Sequence, residues 1–152
     1  MKRIFKVSAL LVALVMLITL TACKDEAETK TPEEKKAATS ALWDLAYYSE
    51  DTELGEGANT ITVKVTAEEK SVVFTIHTDA GNLADAMMTH SLVEGDDSQY
   101  GLYIKKVNGI RADYELDDGY YWSITKDGEM LMTGAEAEII SDGAQYEFIR
   151  TK

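Results

Sequence analysis

The chain has 152 residues, with 27 acidic against 15 basic side chains, a formal charge of −12 at pH 7 and one cysteine. This balance disfavours nucleic acid and anionic lipid headgroups as partners. The length leaves room for one modest domain, and a lone cysteine excludes an internal disulfide.

The start of the chain carries Lys2, Arg3 and Lys6, then runs uncharged through residues 7–20 and reaches Leu20-Thr21-Ala22-Cys23. A basic segment, an apolar segment and small residues before a cleavage point are the layout of an export signal. Fourteen uncharged residues fall short of the roughly 20 that a membrane-crossing helix needs. The last four signal residues resemble the lipobox of bacterial lipoproteins. The resemblance implies cleavage after residue 22, lipid on Cys23, and a protein held on the extracellular face of the cell membrane. A free structural thiol is the alternative for Cys23, and an exposed unpaired thiol is a liability in an exported chain. Residues 1–22 are therefore read as a lipoprotein signal peptide.

Residues 24–39 hold the only proline, no aromatic residue and nothing more apolar than alanine. Such a stretch buries too little surface to offset its ordering entropy, so residues 23–40 are expected to be the lipidated cysteine and a flexible linker. As a coil the linker would hold the domain roughly 20–25 Å from its anchor. A short helix from Pro32 is the competing local reading, and isolated helices of this length are marginal in water. Residues 42–48 fit helix or strand; an extended piece packed by Trp43 is the expectation. The acidic residues 50–57 read as a loop.

From Thr60 the chain alternates, with Ile61, Val63 and Val65 on one side and polar residues on the other, the pattern of a half-buried strand. Glu68-Glu69-Lys70 turns it into a second β-branched and aromatic run over residues 71–78, which predicts an antiparallel hairpin. Asn82 can cap a helix, with Asp85 in its first turn and Leu83, Ala86 and Met87 on one face. Gly95 marks the exit, and Asp96 and Asp97 an acidic loop. Further strands are predicted over residues 102–107, 120–125, 129–132 and 145–150, with turns at Asn108-Gly109, Lys126-Asp127-Gly128 and Asp142-Gly143. The sum is one helix and about six strands.

Catalytic chemistry is sparse. There is no Gly-x-Ser-x-Gly elbow, and His77 and His90 fall in different elements without a partner at metal-ligand spacing. The acidic run from Asp113 to Gly119 is superficially similar to a calcium loop, but its glycine is displaced and its twelfth position is Ile124. A solvated loop is the expectation, and the chain is expected not to be an enzyme.

The run Gly101-Leu-Tyr-Ile-Lys-Lys-Val-Asn-Gly109, then Tyr121-Trp122, Gly134, Asp142-Gly143 and the strand with Tyr146 and Phe148, resembles the C-terminal domain of transcobalamin and intrinsic factor. It is also similar to transcobalamin-like lipoprotein domains of Gram-positive bacteria, where the hairpin and the Asn82-Leu83 helix start match as well. The likeness spans roughly residues 41–152. It implies an α+β fold, a β-grasp-like antiparallel sheet with one packed helix. It also implies a non-enzymatic ligand-binding domain, with a corrinoid (cobalamin-like) ligand, an uptake transporter or envelope protein as partner, and ligand contact at Tyr103, Tyr121, Trp122, Ser123 and Ile124. No cofactor beyond such a ligand is expected.

Period two places Tyr120, Trp122 and Ile124 on one face of their strand and Tyr121, Ser123 and Thr125 on the other, so the two sets are not expected to meet the same ligand. A buried, sheet-anchoring tryptophan is the alternative role for Trp122, which would leave Tyr121 and Ser123 as the exposed candidates. The alternative function, from a different class, is a structural or adhesive module recognising another envelope protein through a sheet edge or aromatic patch.

Overall fold

Thr31 is a helix N-cap. In the computed structural model, which describes residues 31–152, its hydroxyl accepts the Glu34 N–H while the Glu34 carboxylate accepts the Thr31 N–H at 2.8 Å. This reciprocal capping box, with Pro32 following, starts α1 (Pro32–Trp43). The flexible-linker expectation therefore gives way to helix from Pro32 onward, because two otherwise orphaned N–H groups find partners at its start. The expected extended piece at 42–48 likewise begins as the last turn of this helix. The expected signal peptide, Cys23 and the expected linker residues 24–30 lie outside the described residues. Almost all of α1 is exposed until Trp43, which is buried and donates its indole N–H to the Ala67 carbonyl at 3.0 Å.

Residues expected to form an acidic loop contain β1 (Thr52–Gly55). It pairs in parallel with β3 (Lys70–Thr78), which itself forms the expected hairpin with β2 (Asn59–Ala67). A four-residue edge strand, Thr52-Glu53-Leu54-Gly55, holds a single large apolar side chain and so shows no apolar period, and the backbone of its partner is what makes it a strand. In the hairpin, Ile61, Val63, Val65, Val72, Phe74 and Ile76 all turn inward and are buried.

Asn82 caps α2 (Leu83–Thr89), its side-chain oxygen accepting the Asp85 N–H at 2.8 Å. Leu83, Ala84, Ala86 and Met87 are buried in the core, so this helix is the packed one the sequence predicts.

A small sheet of order β4-β5-β6 follows, with β4 (Val93–Ser98), β5 (Gly101–Val107) and β6 (Ile110–Arg111). The expected acidic loop at Asp96 and Asp97 is thus an edge strand whose charged side chains point to water. Gly95 is required there for space, since a Cβ would collide with the Tyr103 carbonyl where the register shifts.

The chain closes with β7 (Tyr121–Lys126), β8 (Glu129–Met130) and β9 (Gln145–Thr151). Asp127 and Gly128 both adopt positive φ between β7 and β8, as a tight two-residue hairpin turn requires. The large sheet runs β1-β3-β2-β9-β7-β8. Without β1, the first and last of the remaining five strands lie side by side and parallel at the centre, which is the β-grasp arrangement. The fold is α+β, with two helices and nine strands among the described residues. The large sheet is mixed rather than wholly antiparallel, because β1 and β9 both join parallel partners.

Asn108, expected only as a turn residue, is fully buried at φ +52°. Its side-chain amide accepts the Tyr48 N–H at 2.9 Å and donates to the Tyr48 carbonyl at 2.8 Å, while its own carbonyl accepts the Tyr47 N–H at 3.1 Å. The amide thus pairs with residue 48 as a strand backbone would. Asn108→Ala would leave both Tyr48 backbone groups unpaired at a part-buried site, and each such loss costs about 1–3 kcal/mol. The expected loss of stability is about 2–4 kcal/mol in urea denaturation, with the native fold retained.

Candidate functional site

The alternation of the β7–β9 ladder directs the backbone groups of Tyr121, Ser123 and Thr125 to β9 and those of Trp122 and Ile124 to the opposite edge. On that edge β8 covers only Thr125 and Lys126, and the Leu131 N–H then donates to the Ile124 carbonyl at 2.8 Å. Beyond this point no described strand covers that edge of β7 at Trp122, whose register partner is Arg150 of β9.

A cleft of about 300 Å³ opens against the uncovered edge. Residues 102–104 of β5 form one wall and residues 121–124 of β7 the other, with Met130, Leu131, Thr133 and Gly134 closing it. Tyr103, Tyr121, Trp122, Ser123 and Ile124 all line this one space. The expectation that the two faces of β7 serve different surfaces is therefore corrected. The cleft meets the strand at its edge, where residues of both faces line the same volume. Tyr103 and Tyr121 are each 40% exposed, whereas Trp122 is only 8% exposed. Its indole nitrogen is buried and has no hydrogen-bond partner among the described residues.

Sequence reasoning passed over Leu102, Met130, Leu131 and Thr133. Met130 carried no usable signal, because it belongs to a two-residue strand and stays 57% exposed. Leu102 and Gly134, by contrast, belong to the motif that carries the family resemblance. No lining residue is charged, although charged residues make up 28% of the chain. A second cleft of about 350 Å³ beside α1 is of the opposite character, lined by Lys36, Asp44, Glu69 and Lys70 with hydroxyl groups and Trp43.

The segment closing the cleft is tied down from several sides. Ala84 and Leu83, at the start of α2, donate their N–H groups to the carbonyls of Ala135 (3.0 Å) and Glu138 (2.9 Å). The Leu102 N–H donates to the Glu136 carboxylate at 2.9 Å. The Glu138 carboxylate receives the Lys126 ammonium at 2.6 Å and the Tyr146 hydroxyl at 3.0 Å. Burial, reinforced by that carboxylate, pushes the Tyr146 phenol well above its ordinary range. One segment thus joins helix, small sheet and large sheet around the cleft.

The loop entering β7 is held by ion pairs, not merely solvated. Lys105 lies 2.8 Å from Asp96 and 3.1 Å from Asp113, whose side chain is buried. Arg111 grips Asp117 through Nε and Nη2 at 2.7–3.0 Å. Hydrogen bonding to Asp96 and Asp113 raises the Lys105 pKa, while Lys105 and Arg111 hold Asp113 and Asp117 below the usual carboxylate range. These acidic side chains face basic partners, so the calcium-like spacing does not become a cation cage. Among the described residues no group of three or more His, Cys, Asp or Glu side chains is placed to hold a metal. His77 faces Glu53 at 2.7 Å and Thr60 at 2.9 Å.

The described residues thus combine a β-grasp core, a small added sheet and an uncharged cleft at a strand edge. Residues 81–148 match the family described as domain of unknown function DUF4430. A suggested metal binding protein from Ruminococcus gnavus ATCC 29149 is 33% identical with a TM-score of 0.58, over 62% of this chain and 98% of that one. The chain belongs to this family of transcobalamin-like domains. Haptocorrin, solved in complex with Cbi, shares the fold at a TM-score of 0.51 and 18% identity over 65% of this chain. The likeness spans only 26% of haptocorrin. No curated protein matches the chain.

The ion pairs at the loop set an acid dependence. Because the folded-state pKa values of Asp113 and Asp117 are depressed, their contribution is present above the unfolded carboxylate pKa of about 4 and is lost as pH falls through their folded values. The urea midpoint should fall as pH drops from neutral into this acid range. Asp113→Asn should be less stable at neutral pH and show a shallower acid decline. An equal slope in both proteins would assign the acid sensitivity elsewhere.

Proposed function

We propose that this chain is an exported lipoprotein of a Gram-positive envelope, anchored through lipid on Cys23, whose transcobalamin-like domain captures a small neutral ligand for an uptake system. Its role is non-enzymatic. The observation that carries the reading is the convergence of Tyr103, Tyr121, Trp122, Ser123 and Ile124 on one uncharged cleft. Pockets for small molecules span roughly 300–1,000 Å³ and are mostly apolar with few polar groups. This cleft, at about 300 Å³, takes part of a ligand. A corrinoid is the candidate, since haptocorrin, which shares the fold, was solved with Cbi. A flat corrinoid would rest one face here and need cover on the other, which an uptake transporter or envelope partner would supply. Tethering by a lipidated Cys23 would offset weak affinity by keeping captured ligand at high effective concentration near the membrane.

Titration of the purified chain with cobinamide and cobalamin, followed by tryptophan fluorescence, tests the ligand. Quenching is expected, with Tyr121→Ala weakening binding about tenfold, roughly 1.4 kcal/mol, at unchanged thermal stability. Trp122→Ala should chiefly destabilise the fold, by about 3 kcal/mol or more. No quenching at millimolar ligand removes the corrinoid reading. For the anchor, Cys23→Ala should move the protein from the membrane fraction to the medium. A variant that stays with the membrane overturns the lipoprotein assignment.

A further inference from the structure

The second cleft, of about 350 Å³, lies where α1 meets the turn between β2 and β3. On the helix, Lys36, Thr39, Ser40 and Trp43 fall at i, i+3, i+4 and i+7, so a single helix face lines it. The turn contributes Glu69 and Lys70, and Asp44 and Ser49 complete the wall. This frame is fixed from both sides. The Trp43 indole N–H ties the helix end to the Ala67 carbonyl at 3.0 Å, and Arg150 holds Glu68 of the turn at 3.0 Å.

The charges in this cleft behave unlike those elsewhere. Among the described residues beyond α1, every lysine and arginine forms an ion pair except Lys70. Carboxylates are plentiful in a chain with 27 acidic residues, and Asp44 and Glu69 line the same space as Lys70. The Lys70 ammonium instead stands 4.7 Å from the centre of the Trp43 ring, an interaction that orients a cation without neutralising it. Lys36 likewise has no carboxylate partner, and the side chains of Asp44 and Glu69 have no cationic one. All four are open to solvent, Lys70 partly and the others fully.

Unmatched charges of both signs in one small space restrict what can fill it. A simple anion would meet Asp44 and Glu69, a simple cation would meet Lys36 and Lys70, and a doubly charged ion such as phosphate would be repelled more strongly still. An uncharged apolar molecule would strip water from four ionic groups and return nothing. A molecule carrying one carboxylate and one ammonium satisfies both sets, since charge-assisted hydrogen bonds form at each end. The hydroxyls of Ser40 and Ser49 are available to its middle, whereas Thr39 donates to the Lys35 carbonyl at 2.9 Å. The volume is within the range of small-molecule sites. We propose that this cleft is a second binding site, for a zwitterionic ligand of the amino-acid or short-peptide class. It shares no lining residue with the cleft at β7 and does not depend on the ligand proposed there.

Glycylglycine titrated into the ¹⁵N-labelled chain and followed by two-dimensional NMR tests the site. The Trp43 indole signal and the backbone signals of Ser49, Glu69 and Lys70 should shift and saturate, while the Trp122 indole signal stays in place. Ethylamine and propionate, each carrying half of the charge pattern, should bind about tenfold more weakly or worse. Lys70→Met keeps an unbranched stem against the Trp43 ring and removes the ammonium, and Glu69→Gln removes a carboxylate at an exposed position. Each should weaken glycylglycine about tenfold with little change in melting temperature. No saturable shift at millimolar glycylglycine overturns the proposal. Propionate or phosphate binding as tightly as glycylglycine would make this a simple anion site and overturn it equally, as would unchanged affinity in both variants.

Discussion

The structure depends on the parallel pairing of β2 with β9, in which Val63 lies opposite Tyr146 and Val65 opposite Phe148. A hairpin cannot make this pair, because parallel neighbours require the chain to cross over and return. Here the return comes from residues 145–151, after the small sheet and the β7–β8 hairpin have formed between. Tyr146 and Phe148 are fully or almost fully buried, and burial of such a side chain stabilises by roughly 1.5–3 kcal/mol. The same strand carries β7 on its other side through six residue pairs. The cleft is therefore positioned from the centre of the sheet outward. The β9 strand fixes β7, and the early end of β8 leaves the outer edge of β7 open at Trp122.

How much of this is readable in the chain depends on what makes each element. The β2–β3 hairpin is legible because one face is buried along its whole length, so each inward position must be apolar. Helix α2 is legible because Asn82 and Asp85 carry its start and Leu83, Ala86 and Met87 its buried face. Strands β1 and β4 are not, since apart from Leu54 and Val93 they offer the core little apolar surface and the neighbouring backbone is what makes them strands. Helix α1 hid for another reason. Its composition argued for disorder, and the decisive contribution is the reciprocal Thr31–Glu34 cap, a local interaction that composition does not weigh.

The site divides the same way. Its five residues were named through the family resemblance, while period two alone argued that they could not act together. Period two describes the faces of a strand and is silent about its edges. That β8 stops after two residues accords with the path of residues 131–139, which tie to α2 and to Leu102 and leave the outer edge of β7 uncovered at Trp122. No local pattern records that path. The unpaired indole N–H is likewise a property of packing, since tryptophan in a strand ordinarily finds an acceptor.

An uncovered strand edge invites association, and proteins guard such edges with charge. The other outer edges follow this rule. Glu53 stands on β1, and Glu94, Asp96 and Asp97 stand on β4, all exposed or partly so. The edge at Trp122 does the reverse, bordered by Tyr103, Tyr121 and Met130 with no charge in its walls. Some of the acidity elsewhere is bound into local pairs such as Lys105 with Asp96 and Asp113, or Arg111 with Asp117. In a chain with 27 acidic residues, a charge-free cleft on an open edge is a departure from the way this fold treats its other edges. Solubility would favour a lysine or glutamate there. A site that receives a neutral, partly apolar molecule, as proposed for this cleft, is better served by their absence. The open edge and the uncharged cleft are thus one feature, and under the proposed function it is this edge that would receive a ligand.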